Sequence, residues 1–222
     1  MLYTISTWVI PVVLAITLHE AAHGYVANWL GDSTAKEQGR ISINPIRHID
    51  PVGTFLLPLI LAITSPFVFG WAKPVPVNFA RLRNPKRDMV WVAVAGPAIN
   101  LFLALLSARA IYIVPWLPDP IDDWTLDLLR NSLFLNVILF VFNLVPIPPL
   151  DGGRVAVGLL PVGLARSLAR VEKYGMLIII CALIGLPLTG SILGLSIQPF
   201  DWVILPIVEA LISVIAYLAG FV

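Results

Sequence analysis

Apolar runs of bilayer-spanning length recur along this chain, and they constrain its fold more than any other feature. A helix needs about 20 predominantly apolar residues to cross the hydrocarbon core of a membrane. Such runs lie at about 4–28, 89–114, 129–147, 174–194 and 202–221. No water inside a bilayer can bond a bare N–H or C=O, so each run must satisfy its backbone internally, as a helix does. Only 12% of the 222 residues are charged and the mean hydropathy is +0.91, whereas a soluble domain carries roughly 25% charge. The sequence therefore predicts an all-α polytopic membrane protein, a single domain over residues 1–222 with about five to six transmembrane helices.

A further apolar stretch, "VGTFLLPLILAITSPFVFG" at 52–70, is interrupted by Pro58 and Pro66 and could either span the membrane or re-enter. Loop charge orients the rest. Segment 71–88 carries Lys73, Arg81, Arg83, Lys86 and Arg87, and segment 154–173 carries Arg154, Arg166, Arg170 and Lys173. Between them, 116–130 holds Asp119, Asp122, Asp123 and Asp127. Basic loops stay in the cytoplasm, so the acidic loop is expected outside. Lys36, Arg40 and Arg47 put 31–51 inside as well, which makes 52–70 re-entrant, the N-terminus outside and the C-terminus inside. Six full spans with the N-terminus inside is the alternative. The expected location is the cell membrane.

The first run has no Lys or Arg before it and reads as a retained span rather than a cleaved signal. Short extended pieces are expected at "GRISIN" (39–44) and "WAKPVPVNF" (71–79), where Pro74 and Pro76 suit an edge strand or an extended loop. Trp8, Trp71, Trp91, Trp116 and Trp202 fall near span ends and read as interfacial anchors, and Arg109 as a side chain snorkelling to the interface. The lone Cys181 excludes an internal disulfide and reads as a buried structural thiol. A net charge of +1 offers nucleic acid no basic field. Lipid and other membrane proteins are the expected partners.

The first run ends in "HEAAH", residues 19–23, which holds two of the chain's three histidines. Positions i and i+4 of a helix lie on one face, so His19 and His23 can reach the same metal ion. Neutral imidazole is a good zinc ligand, and Glu20 lies close to that face, where it could accept a proton. Ionisable groups cost several kcal/mol in hydrocarbon and mark functional sites by default. The bland alternative is a chance pattern lining a wet cavity or a proton path. That would make the chain a non-proteolytic zinc-binding or ion-conducting protein.

A catalytic zinc takes three protein ligands and keeps one position open. Asp151 is a candidate for the third: it follows "NLVPIPPL" at 143–150, where Pro146, Pro148 and Pro149 break the helix. It could instead cap the helix that begins near Gly152. His48 and Asp50, in "NPIRHIDPVGT", compete for the metal. They also read as a pair orienting ligands or water near it, or as a cap on the re-entrant segment. Asn100 could orient substrate, stabilise an oxyanion or glue helices together, with Ala93 and Gly96 allowing close approach. Asn143 could bind substrate or steady the broken helix.

"HEAAH" (19–23), "AGPAIN" (95–100) and "NLVPIPPLDGG" (143–153) occur in that order on successive core spans. In these motifs the chain resembles the site-2 protease family of intramembrane zinc metalloproteases. "GRISINPIRHIDPVGT" and "FGWAKPVPVNF" are similar to the compact prokaryotic members, which lack PDZ and CBS domains. The resemblance implies that His19, His23 and Asp151 bind one zinc ion per chain and that Glu20 is the general base. It also implies that Asn143 contacts substrate. The implied reaction is hydrolysis of a peptide bond within or next to a transmembrane segment of another protein, at a site towards the cytoplasmic face.

Overall fold

The computed structural model describes residues 2–56, 59, 60, 63 and 70–221. Seven helical elements organise it: α1 (Leu2–Trp29), α2 (Pro85–Ala110), α3 (Ile121–Asn143), α4 (Asp151–Leu159), α5 (Val162–Ala169), α6 (Glu172–Ile192) and α7 (Phe200–Ala219). Helix α2 tightens into a 3-10 stretch, Ile111–Trp116, and π-helical turns occur within α6 at Cys181–Gly185 and at the start of α7. Five of the elements, α1, α2 with its extension, α3, α6 and α7, are long and apolar enough to cross a membrane. The all-α polytopic expectation holds.

Boundaries differ from expectation most at α3, expected over 129–147. Helix α3 starts at Ile121, so most of the acidic loop is its opening turns. Asp122 and Asp123 lie in the first turn, where the positive end of the helix dipole favours them. The helix ends at Asn143, before Pro146. The question whether 52–70 spans or re-enters lies outside the described residues; those at its start form a π-helical turn, Pro51–Leu56.

Helices α1, α2 and α3 pack pairwise into a three-helix core. Their contact surfaces are built from small residues. Ala15, Ala27, Ala93, Ala104 and Ala108 are all at most 1% exposed, which lets backbones approach where lipid supplies no hydrophobic drive between helices. Helix α7 closes the far side, with Val208 and Ile215 against Val137 and Val141 of α3. The outer surfaces carry Leu14, Phe102, Leu106, Leu177 and Val214 exposed, an apolar girdle suited to acyl chains. Cys181 belongs to this exposed surface and is not the buried thiol that its apolar neighbourhood suggested. Arg109, near the expected outer end of α2, is exposed, and its Nη1 donates to the Ala219 carbonyl at 2.8 Å at the C-terminal end of α7. The C-terminus therefore lies at the same end of the bundle as Tyr3 and Asp127, not at the opposite end as expected.

Residues 70–78 form a strap without regular secondary structure, and no strand occurs among the described residues. Its bonding nonetheless alternates as extended backbone does. Trp71, Lys73 and Val75 each donate an N–H to one side: to Gly53 O at 3.0 Å, to His48 O at 2.9 Å and to the Glu20 carboxylate at 2.7 Å. Pro74 and Pro76 fall on the other side, where a missing N–H does no harm. Asp32, fully buried, ties the end of the strap to the turn after α1 by accepting from Asn78 N at 2.6 Å and Thr34 N at 3.0 Å.

Candidate metal centre and active site

The site is assembled at the C-terminal half of α1, the middle of α2 and the start of α4. His19 and His23 stack one turn apart on α1 and are 8% and 6% exposed. Their Nε2 atoms lie 3.1 Å from each other. Asp151 Oδ2 lies 3.2 Å from His19 Nε2 and 3.3 Å from His23 Nε2. Three corners of a tetrahedron centred about 2.0 Å from each ligand atom stand about 3.3 Å apart, so the triangle has the size that zinc requires. Asp151 Oδ2 is also a buried oxygen with no hydrogen-bond partner of its own. A buried, unsatisfied carboxylate oxygen facing two imidazole nitrogens is the donor set of a cation site. Among the described residues, this is the group of His, Cys, Asp or Glu side chains able to hold a metal.

Each histidine is held by its other nitrogen. His23 Nδ1 lies 2.7 Å from the Val92 carbonyl, which can only accept, so Nδ1 carries the proton and Nε2 presents a lone pair. His19 Nδ1 lies 2.5 Å from Asn100 Oδ1, with the same result. Gly96 fits between these bonds: a Cβ there would stand 2.4 Å from His23 Nε2 and 2.6 Å from His19 Nε2. The glycine of "AGPAIN" is what lets α2 cross the two imidazoles.

Asp151 reaches the site because the chain folds back on itself after α3. A Cβ on Gly152 would lie 2.1 Å from Leu144 O, and one on Gly153 would lie 2.2 Å from Pro148 N. The N-cap of α4 is Leu150, with no side-chain cap bond. Asp151 is therefore not the helix cap that the sequence also allowed. Glu20, half-buried on α1, accepts from Val75 N–H through Oε2 at 2.7 Å.

The remaining expected residues have other bonding partners. His48 is buried with Nε2 at 2.8 Å from Ser42 O. Asp50 Oδ1 accepts from Val52 N at 3.0 Å and Gly53 N at 2.7 Å, capping the π-helical turn. Neither joins the three-residue group. Asn143 Nδ2 donates to Leu139 O within α3 at 3.0 Å. Asn100 is fully buried, and besides His19 it bonds Asn136 Oδ1 at 2.9 Å. Asn136 escaped the sequence reading, although an amide in the apolar run of α3 is as costly there as Asn100 is in α2.

The description Peptidase family M50 matches residues 122–186, which include α3, the broken segment and Asp151. "Putative zinc metalloprotease YwhC" of Bacillus subtilis is 39% identical over 178 residues, 77% of this chain and 76% of that protein. The chain belongs to peptidase family M50. Two further relatives carry the name "Putative zinc metalloprotease Rip2". The one from Mycolicibacterium smegmatis is 30% identical over 77% of this chain and 64% of its own length. The one from Mycobacterium tuberculosis is 28% identical over 89% of this chain and 72% of its own length. No solved structure matches. Membership of family M50 makes the chain a metalloprotease, in agreement with the resemblance carried by its motifs.

Proposed function

We propose that this M50 member is an intramembrane zinc metalloprotease that hydrolyses a peptide bond within or next to a transmembrane segment of a membrane-protein substrate. The observation that supports it most is the buried triangle of His19 Nε2, His23 Nε2 and Asp151 Oδ2 inside a bundle of apolar helices. These three would hold the ion. When bound, zinc supplies Lewis acidity at the scissile carbonyl. Val92 and Asn100 keep both imidazoles facing it. Glu20 takes a proton from the attacking water and passes it to the leaving amine. Its Oε2 also accepts from Val75 N–H, which ties the proposed base to the strap.

A helical substrate hides its peptide groups in i to i−4 bonds and must unwind before attack. The freed groups then need partners in the membrane. The strap at 70–78 can supply them along its outward side through the carbonyls of Ala72 and Pro76, the Pro74 carbonyl already accepting from Arg40 Nη2 at 3.3 Å; the broken segment from Asn143 to Leu150 is the second source. The basic loops support a reading in which this chemistry lies towards the cytoplasmic face of the cell membrane, with the N-terminus outside.

Glu20→Gln tests the reading. Cleavage of a model transmembrane substrate should fall to background while the chain still takes up one zinc ion. Persistent cleavage would remove Glu20 from the proposed role. Asp151→Ala should lose the metal and His48→Ala should keep it, both read as zinc per chain after gel filtration. The reverse pattern would make His48 the third ligand.

A further inference from the structure

We propose that Asn100 and Asn136 form a directional relay that fixes the tautomer of His19 and thereby its ability to bind metal. The inference rests on the zinc reading above. His23 is oriented directly by a backbone carbonyl, but His19 is not. Its Nδ1 faces a side-chain amide, and an amide can turn either end towards its neighbour. Turned one way, Asn100 accepts from Nδ1–H and leaves the Nε2 lone pair free. Turned the other way, it donates to Nδ1 and puts the proton on Nε2, where a ligand is needed.

The structure removes that choice from a distance. Asn136 Nδ2 donates to the Ser132 carbonyl at 2.8 Å, and a carbonyl can only accept. Asn136 must then present Oδ1 to Asn100, and Asn100 Nδ2 donates to it at 2.9 Å. The Ala15 carbonyl, 3.5 Å from Asn100 Nδ2, has the same polarity. Asn100 Oδ1 is thus left facing His19 Nδ1 at 2.5 Å. Ser107 Oγ, 2.8 Å from Ser132 Oγ, pins the far end by joining α2 to α3. Asn100 and Asn136 are 0% and 1% exposed, so no water competes for these bonds. Interhelical glue alone would need the two amides to bond each other. It would not require that every donor point away from His19. Both asparagines are positioning residues, acting on the metal only through His19.

The test uses the full chain in lipid nanodiscs as wild type, Asn100→Leu, Asn136→Leu and Asn136→Asp. Zinc affinity is measured by competition with a chelating dye. Protonation of His19 Nδ1 is read from imidazole 15N signals of zinc-free protein, which holds only three histidines. Loss of a partner that orients a metal-binding histidine weakens metal binding roughly 10–100-fold, and Asn100→Leu should do so while losing the protonated Nδ1 signal. Asn136→Leu should move both readouts in the same direction by less. Asn136→Asp keeps an acceptor towards Asn100 and should return both towards wild type.

If both leucine variants lower the unfolding temperature but leave zinc affinity and the Nδ1 signal unchanged, the amides only pack helices and the proposal fails. Should Asn100→Leu not fold, the Asn136 pair decides, and equal zinc affinity in the two variants overturns the relay. A wild-type chain that takes up no zinc would sink the proposed function. The Nδ1 signal would still decide the relay.

Discussion

Gly96 illustrates how much of the site depends on atoms that are absent. Its missing side chain leaves room for two imidazole nitrogens that a methyl group would meet at 2.4 and 2.6 Å. Neither ring can retreat, because Val92 O and Asn100 Oδ1 hold the opposite nitrogens. Gly96→Ala should therefore keep the helical bundle but bind less than one zinc per chain at concentrations that saturate the wild type, as measured by metal analysis. The other residues differ in how plainly the sequence announces them. His19, Glu20 and His23 are legible because three costly groups share one helical turn of an apolar span. Asp151 is legible because it follows the prolines that end α3. Asn136 carries no spacing signal, since its meaning depends on Ser132 and Asn100, and the latter lies on another helix. His48 and Asp50 read equally as metal competitors, as a pair orienting ligands or as a cap on the following segment, and Asp50 is that cap. Their actual partners, Ser42 O for one and the backbone of the following turn for the other, are contacts that composition does not encode.

Among the elements, α6 does something its hydropathy does not advertise. It passes so close to the turn before Asp151 that a Cβ on Gly175 would lie 1.6 Å from Pro148 O. The helix is thus a backstop for the segment that carries Asp151, the candidate third ligand. Overfilling a packed contact costs about 1–3 kcal/mol. Gly175→Ala should lower the unfolding temperature by a corresponding few degrees in a thermal melt. Because Pro148 lies just before Asp151, the same variant should also weaken zinc uptake, whereas Gly163→Ala, which meets nothing within 4 Å, should do neither. The existence of the five long helices was readable from apolar runs of the right length. The start of α3 was not, since its opening turns are acidic and polar. They are held to α1 by Tyr3 Oη donating to Asp127 Oδ2 at 2.8 Å and Trp124 Nε1 donating to Ser6 Oγ at 2.9 Å.

At the scale of the whole molecule, the candidate ligands come from distant parts of the chain. His19 and His23 belong to the first helix and Asp151 to the element after the third span. A metal bound by all three would join them, and a ligand that binds only the folded state stabilises it by about 2.7 kcal/mol at one hundred times its dissociation constant. Chelation should therefore lower the thermal midpoint of the full chain. Restored zinc should return it, and Asp151→Ala should show no response to either. The strap at 70–78 has a consequence of a different kind. Its inward edge is occupied by bonds to Gly53, His48 and Glu20, and its outward edge has no N–H at Pro74 or Pro76. Two copies of such an edge cannot zip into a sheet, because neither offers the other a full row of donors, and the Pro74 carbonyl is already taken by Arg40. In a crowded membrane, that one-sidedness lets the enzyme keep an open backbone edge without templating its own aggregation.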